Sequence, residues 1–167
     1  MNAYYGFKTV VQVQNVGSSA TEVRVTYSDG VVVTSNPVPP KSSVSFYNWT
    51  EGHVSNFLGS AKIESIGGSD IVGTVNQTND IQSSSYNLFV GGAGTFVLPT
   101  IMRNFYDYST SFQIQNVSTS AVDCVVTYDD GVPAAPSGSL TGIPAGGSVL
   151  VPNRNETGHG NNYTGSA

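Results

Sequence analysis

Charge is what this sequence has least of. Asp, Glu, Lys and Arg together make up 10% of 167 residues, against roughly 25% in an ordinary soluble domain. Lys and Arg number 6, and the formal net charge is −5. A nucleic-acid surface needs clustered positive charge to displace counterions, so no nucleic-acid partner is expected. An anionic membrane surface is disfavoured on the same ground. No apolar run reaches the roughly 18 residues that a spanning helix needs, so no membrane-spanning segment is expected. The opening residues, MNAYYGFK, lack the apolar core of a signal peptide. A single cysteine, Cys124, leaves no partner for an intrachain disulfide. Helical periodicity longer than one turn is also missing, which removes helix-based folds from consideration.

With so little charge, solubility falls to Ser, Thr, Asn, Gln and Gly. That balance suits an extracellular β-protein better than a cytosolic enzyme. The hydrophobic share of 38% is enough to fill a core, so the chain is not of the disordered class.

What is present is a repeat. Residues 5–30, YYGFKTVVQVQNVGSSATEVRVTYSDG with its first Tyr4, return at 106–131 as YDYSTSFQIQNVSTSAVDCVVTYDDG. At an offset of 101, 13 of the 26 positions from Tyr5 and Tyr106 onward are identical. Mismatches are mostly conservative, as at Val13/Ile114 and Glu22/Asp123. A repeat of this length governs the reading of the whole fold. It divides the chain into a first module, residues 1–93, and a second, residues 94–167.

Each copy reads as short strands. In residues 7–14, Val11 and Val13 alternate with Gln12 and Gln14; the second copy sets Phe112 and Ile114 against Gln113 and Gln115. Period-two alternation marks a half-buried strand. Asn15-Val16-Gly17-Ser18 is a turn. Residues 22–28 return with Val23, Val25 and Tyr27 on one face, and Asp29-Gly30 is a hairpin signal. Residues 31–34 form a shorter strand, PVPPK at 37–41 breaks the ladder, and residues 43–48 alternate again with Val44 and Phe46 inward. Their echo is residues 148–153, with Val149 and Val151. Gly52-His53 is echoed by Gly158-His159, and Gly59-Ser60-Ala61 by Gly165-Ser166-Ala167. Residues 61–65 and 71–76 are two further strands, and the serine-rich stretch 77–87 reads as a long loop. The fold class expected is all-β: two tandem immunoglobulin-like β-sandwich modules, the second incomplete.

The incompleteness follows from alignment. Ala167 matches Ala61, after which the first copy continues with two or three more strands. Residues 62–100, 39 in number, have no second version in the sequence. A sandwich short of these strands exposes apolar edges. The expectation is that further sequence, or a strand from a neighbouring chain, completes it. Contacts of that kind run head to tail and propagate as a filament.

The motif LPTIMRNFYDYSTSFQIQNVSTSAVDCVVTYDDG (98–131), with IPAGGSV (143–149) and GSAKIES (59–65), resembles the tandem immunoglobulin-like β-sandwich repeats of large secreted and cell-surface proteins of filamentous, often thermophilic, bacteria. The resemblance touches about two-thirds of the chain. It implies an extracellular or cell-surface location and a structural or adhesive role, with copies of the chain itself as partner.

Candidate sites are few. His53 and His159 are equivalents in the repeat, so they read as module features and not as catalytic or metal residues; neither has a second ligand at metal spacing. No enzyme activity, cofactor or metal is expected. Asp29-Gly30 and Asp129-Asp130-Gly131 read as turns, with too few carboxylates for calcium. Cys124 stands where the first copy has Val23 and reads as a packed small hydrophobe. Five sequons fit the glycosylation rule: Asn48, Asn76, Asn116, Asn155 and Asn162. Asn48, Asn155 and Asn162 are expected on exposed loops, with glycans as a second partner. A Lys–Asn isopeptide crosslink is conceivable only at Lys8 or Lys62. The aromatics Tyr4, Tyr5 and Phe7, and Phe105, Tyr106 and Tyr108, sit at the copy starts, where they pack between modules or stack sugars. Three readings remain: a structural subunit of a filament or surface array first, a carbohydrate-binding or adhesive module second, and an accessory domain of an enzyme third.

Overall fold

A computed structural model of the chain describes residues 1–132, 139–152 and 162–167. The described residues form antiparallel sheets and contain no α-helix. The chain divides into two compact units, Met1–Val90 and Gly91–Ala167. The division lies three residues before the boundary read from sequence.

The first unit has two sheets. One holds β1 (Asn2–Tyr4), β2 (Phe7–Asn15), β5 (Ser43–Tyr47), β7 (Ile71–Thr78) and β8 (Ser83–Asn87); the other holds β3 (Val23–Tyr27), β4 (Val32–Thr34) and β6 (Ala61–Ser65). β2 is central to the larger sheet. Val11 lies opposite Phe46 of β5 on one side and Val75 of β7 on the other, and Val13 lies opposite Val44 and Gly73. Alternation puts the apolar side chains of β2 on one face, where Val11 and Val13 meet Val23, Val25 and Tyr27 of β3 in a single core with Val38, Phe46, Phe57 and Val75. Each of these residues is less than a tenth exposed. Gly73 is required by close approach: a Cβ there would strike the Gln12 carbonyl oxygen and come within 2.8 Å of Leu88.

Residues 77–87 depart from the expected loop. β7 runs on to Thr78, and Ser83–Asn87 return as the edge strand β8, paired from Thr78↔Ser83 to Thr74↔Asn87. The turn is set by Asn79, whose side-chain oxygen accepts the N–H groups of Ile81 (2.9 Å) and Gln82 (2.7 Å). All five residues of β8 are exposed. None of its residues is fully buried, so little alternation is written into the sequence, and the strand is held by its ladder with β7 and by Ser84 Oγ, which donates to Gln77 Oε1 at 3.4 Å.

The second unit repeats part of this plan. β10 (Ser111–Gln115) pairs β11 (Ser148–Pro152) as β2 pairs β5, and β9 (Ile101–Arg103) pairs β12 (Tyr163–Gly165). Val122 bridges Ile143 as Thr21 bridges Val38. Its buried apolar residues, among those described, include Ile101, Tyr128, Ile143 and Val151. The counterpart of β3, residues 124–128, carries no strand despite the shared Val-Thr-Tyr. β3 lies between β4 and β6, whereas no strand flanks 124–128 among the described residues. Among the described residues the segment is tied near its two ends, by Cys124 N–H to Leu140 O at 2.7 Å and Asp129 N–H to Ser166 O at 3.1 Å, rather than by a continuous ladder.

Candidate functional site

Two places in the chain concentrate unusual chemistry: a buried histidine cluster in the first unit and a one-sided strand in the second.

The cluster grows out of the Asp29-Gly30 turn after β3 and the loop after β5. Residues 48–50 form one 3-10 turn, which sends Glu51 and His53 back toward the end of the core. The His53 side chain is fully buried. Its Nδ1 lies 2.7 Å from Asp29 Oδ2, and its Nε2 lies 3.6 Å from Glu51 Oε2. The Tyr27 hydroxyl donates to the same Glu51 oxygen at 2.6 Å. Burial, then the Glu51 carboxylate, raises the Tyr27 pKa, so the phenol stays a donor. The imidazole stacks on Phe57 at 4.6 Å and meets Tyr27 edge-on at 4.3 Å. His53 Nε2 and Asn48 Oδ1 have no hydrogen-bond partner among the described residues. Closed off from solvent, the imidazole offers no path to a substrate. It fastens the loop after β5 to the turn after β3, and so one sheet to the other. Among the described residues no group of three or more His, Cys, Asp or Glu is placed to hold a metal.

Sequence reasoning pairs Gly52-His53 with Gly158-His159 but passes over Glu51. The signal was there: Glu-Gly-His in one copy stands against Glu-Thr-Gly-His in the other. His159 lies outside the described residues.

The sequons separate once burial is known. Asn48, expected on an exposed loop, is 2% exposed; it opens the 3-10 turn beneath the Tyr27 hydroxyl. Asn116 is 4% exposed, and its amide donates to Ser120 O (2.7 Å) and Ile143 O (2.9 Å) while its oxygen accepts from Ser118. Asn15 makes the matching bonds to Ser19 O (2.7 Å) and Val38 O (2.9 Å). The turn read from Asn15 is thus also a buried brace, which a local pattern cannot reveal. Asn76 and Asn162 are exposed, and Asn155 lies outside the described residues. Lys8 sits 5.6 Å over the Trp49 ring and Lys62 pairs with Glu64 at 2.7 Å, so neither is engaged with an Asn side chain.

The second place is β10. Its counterpart β2 has strands on both sides; β10 has β11 on one side and none on the other among the described residues. Core positions report the difference. Val11, Val13, Val23 and Val25 are buried, while Phe112, Ile114, Cys124 and Val126 at the matching positions are only half-buried.

The copy starts share a third feature. Tyr5 (φ 49°) and Tyr106 (φ 48°) both take the left-handed region, as do Ala3 and Asn104. Bulky residues adopt it only under strain. Tyr5 is 66% and Tyr106 81% exposed, and each ring meets its neighbour, Tyr4 or Phe105, edge-on at 4.8 Å.

In class the chain is an all-β protein of antiparallel sheets, two of which share one core in its first unit. Comparison with known protein families, with curated proteins and with solved structures gives no match.

Proposed function

We propose that the chain is a structural subunit of an extracellular filament or surface array. In this reading it carries two immunoglobulin-like modules and joins copies of itself head to tail by strand complementation. The observation that supports it is the one-sided strand β10, beside a face whose apolar residues are half-buried where the first unit buries them. A row of N–H and C=O groups with no partner among the described residues, next to apolar side chains, is a template for another chain. Acceptor and donor surfaces differ in such a contact, so it does not close on itself as a two-fold dimer does. Low charge density suits close packing of like subunits, and exposed Asn76 and Asn162 could carry glycans at the surface. Light scattering at rising concentration and negative-stain imaging test the reading. Elongated polymers are expected; a monodisperse monomer throughout overturns it.

The strained, exposed Tyr5 and Tyr106 favour a second reading, a carbohydrate-binding or adhesive module in which these rings stack on sugars. Glycan-array binding that Tyr5→Ala and Tyr106→Ala abolish, without loss of fold, would decide for it.

A further inference from the structure

The acceptor β10 calls for a donor, and the first unit presents one. We infer that the outer edge of β8 in one molecule adds antiparallel to the open edge of β10 in the next, in the register Tyr86↔Phe112, Ser85↔Gln113, Ser84↔Ile114; this rests on the filament reading above.

Backbone directions fix which residues can pair. Asn116 N–H bonds Gly147 O on the β11 side (2.9 Å). Main-chain groups alternate along an antiparallel strand, so those of Phe112 and Ile114 also face β11, and those of Ser111, Gln113 and Gln115 face the open edge. Leu88 N–H bonds Gly73 O at 3.0 Å. By the same alternation Ser84 and Tyr86 face β7, and Ser83, Ser85 and Asn87 face outward. Two rows of three outward residues are left, one on each unit. Neither strand, SSSYN or SFQIQ, carries a charge or a proline, the usual devices that keep edges apart.

Side-chain size selects the register. In the first unit, β7 sets Val75 against Val11 and Gly73 against Val13, a large residue and then a small one. Phe112 and Ile114 occupy those two positions in the second copy. Tyr86 lies opposite Val75 and so on the core side of its sheet. Antiparallel addition that pairs Ser85 with Gln113 sets Tyr86 against Phe112 and Ser84 against Ile114. The large-then-small order of β7 is reproduced, with an aromatic cross-strand pair at the large position.

The test uses the full chain with Cys124→Ser as background. Ser85→Cys and Gln113→Cys are made in separate molecules, mixed, oxidised and run on a non-reducing gel. Directly paired residues stand about 5.5 Å apart at Cα, within disulfide range. A covalent mixed dimer is expected, and the tandem variant carrying both cysteines is expected to give a ladder. Ser83→Cys with Gln113→Cys is displaced by two residues, about 7 Å along the strand, and is expected to crosslink at least tenfold less. Equal crosslinking of the displaced pair, or none by either pair while polymers still form, overturns the inference and leaves the filament reading standing. No crosslink and no polymer overturns both.

Discussion

The two copies of the repeat begin from nearly the same residues and end differently. Val25 is fully buried in a strand flanked on both sides; Val126, in the same Val-Thr-Tyr, is half-buried in a segment that is not a strand. Asn15 and Asn116, by contrast, are buried in both copies and make matching bonds across 4 residues and across 23 or 27. The braced turn, with one short-range and one long-range bond, is formed in both units. Among the described residues, the deeper burial of Val25 goes with the two ladders that flank β3.

The largest expected effect lies in the feature described only for the first unit. His53→Ala removes the imidazole from between Asp29 and Glu51 and leaves their carboxylates without it at the end of the core. The loss is about 3 kcal/mol in the first unit, read from the fluorescence of Trp49, the single tryptophan, during chemical denaturation. A loss under about 1 kcal/mol would mean the cluster is not a fastening. Next, Val25→Ala is expected to cost about 2 kcal/mol and Val126→Ala less than half as much, because the second site is already open. Equal costs, from hydrogen exchange of each unit, would erase the distinction drawn between the two faces.

A third test probes likeness. Asn15→Ala and Asn116→Ala each strand one buried carbonyl, Val38 O or Ile143 O, and one at the surface, and each is expected to cost about 2 kcal/mol. A difference larger than about 1 kcal/mol would show that the brace itself is weaker in one copy. The smallest effect concerns Asp129, where the first copy has Ser28. The Tyr163 hydroxyl donates to Asp129 at 2.7 Å and Ser166 N–H at 3.0 Å, and the Tyr163 bond first, then Ser166, holds its pKa below the ordinary carboxylate value. A depressed folded pKa means the contribution is present above the unfolded value and is lost as pH falls through the folded one. Asp129→Asn should therefore lower the second unit's stability slightly at neutral pH, leave it nearly unchanged below the folded pKa, and so flatten the acid limb. An unaltered acid limb would remove the role given to this carboxylate.

Strands β2, β3, β5 and β6 were legible within one or two residues, because one buried face imposes alternation that the residues must obey. β8 was not, because both its faces meet solvent and serine is compatible with a loop. Glu51 was missed because its partner Tyr27 lies 24 residues away. Asn48 was expected on an exposed loop because Asn-x-Ser/Thr says nothing about what covers the amide.

Sequence alone determined the repeat, the all-β class, the turns and which side chains share a face. These follow from backbone sterics and a period of two, and both act within a few residues. Tertiary structure decided which of those faces is closed among the described residues, that His53 is buried, and that β10 is paired on one side there. Those outcomes depend on ladder partners and core neighbours far away in the chain, and identical residues with different neighbours reach different states.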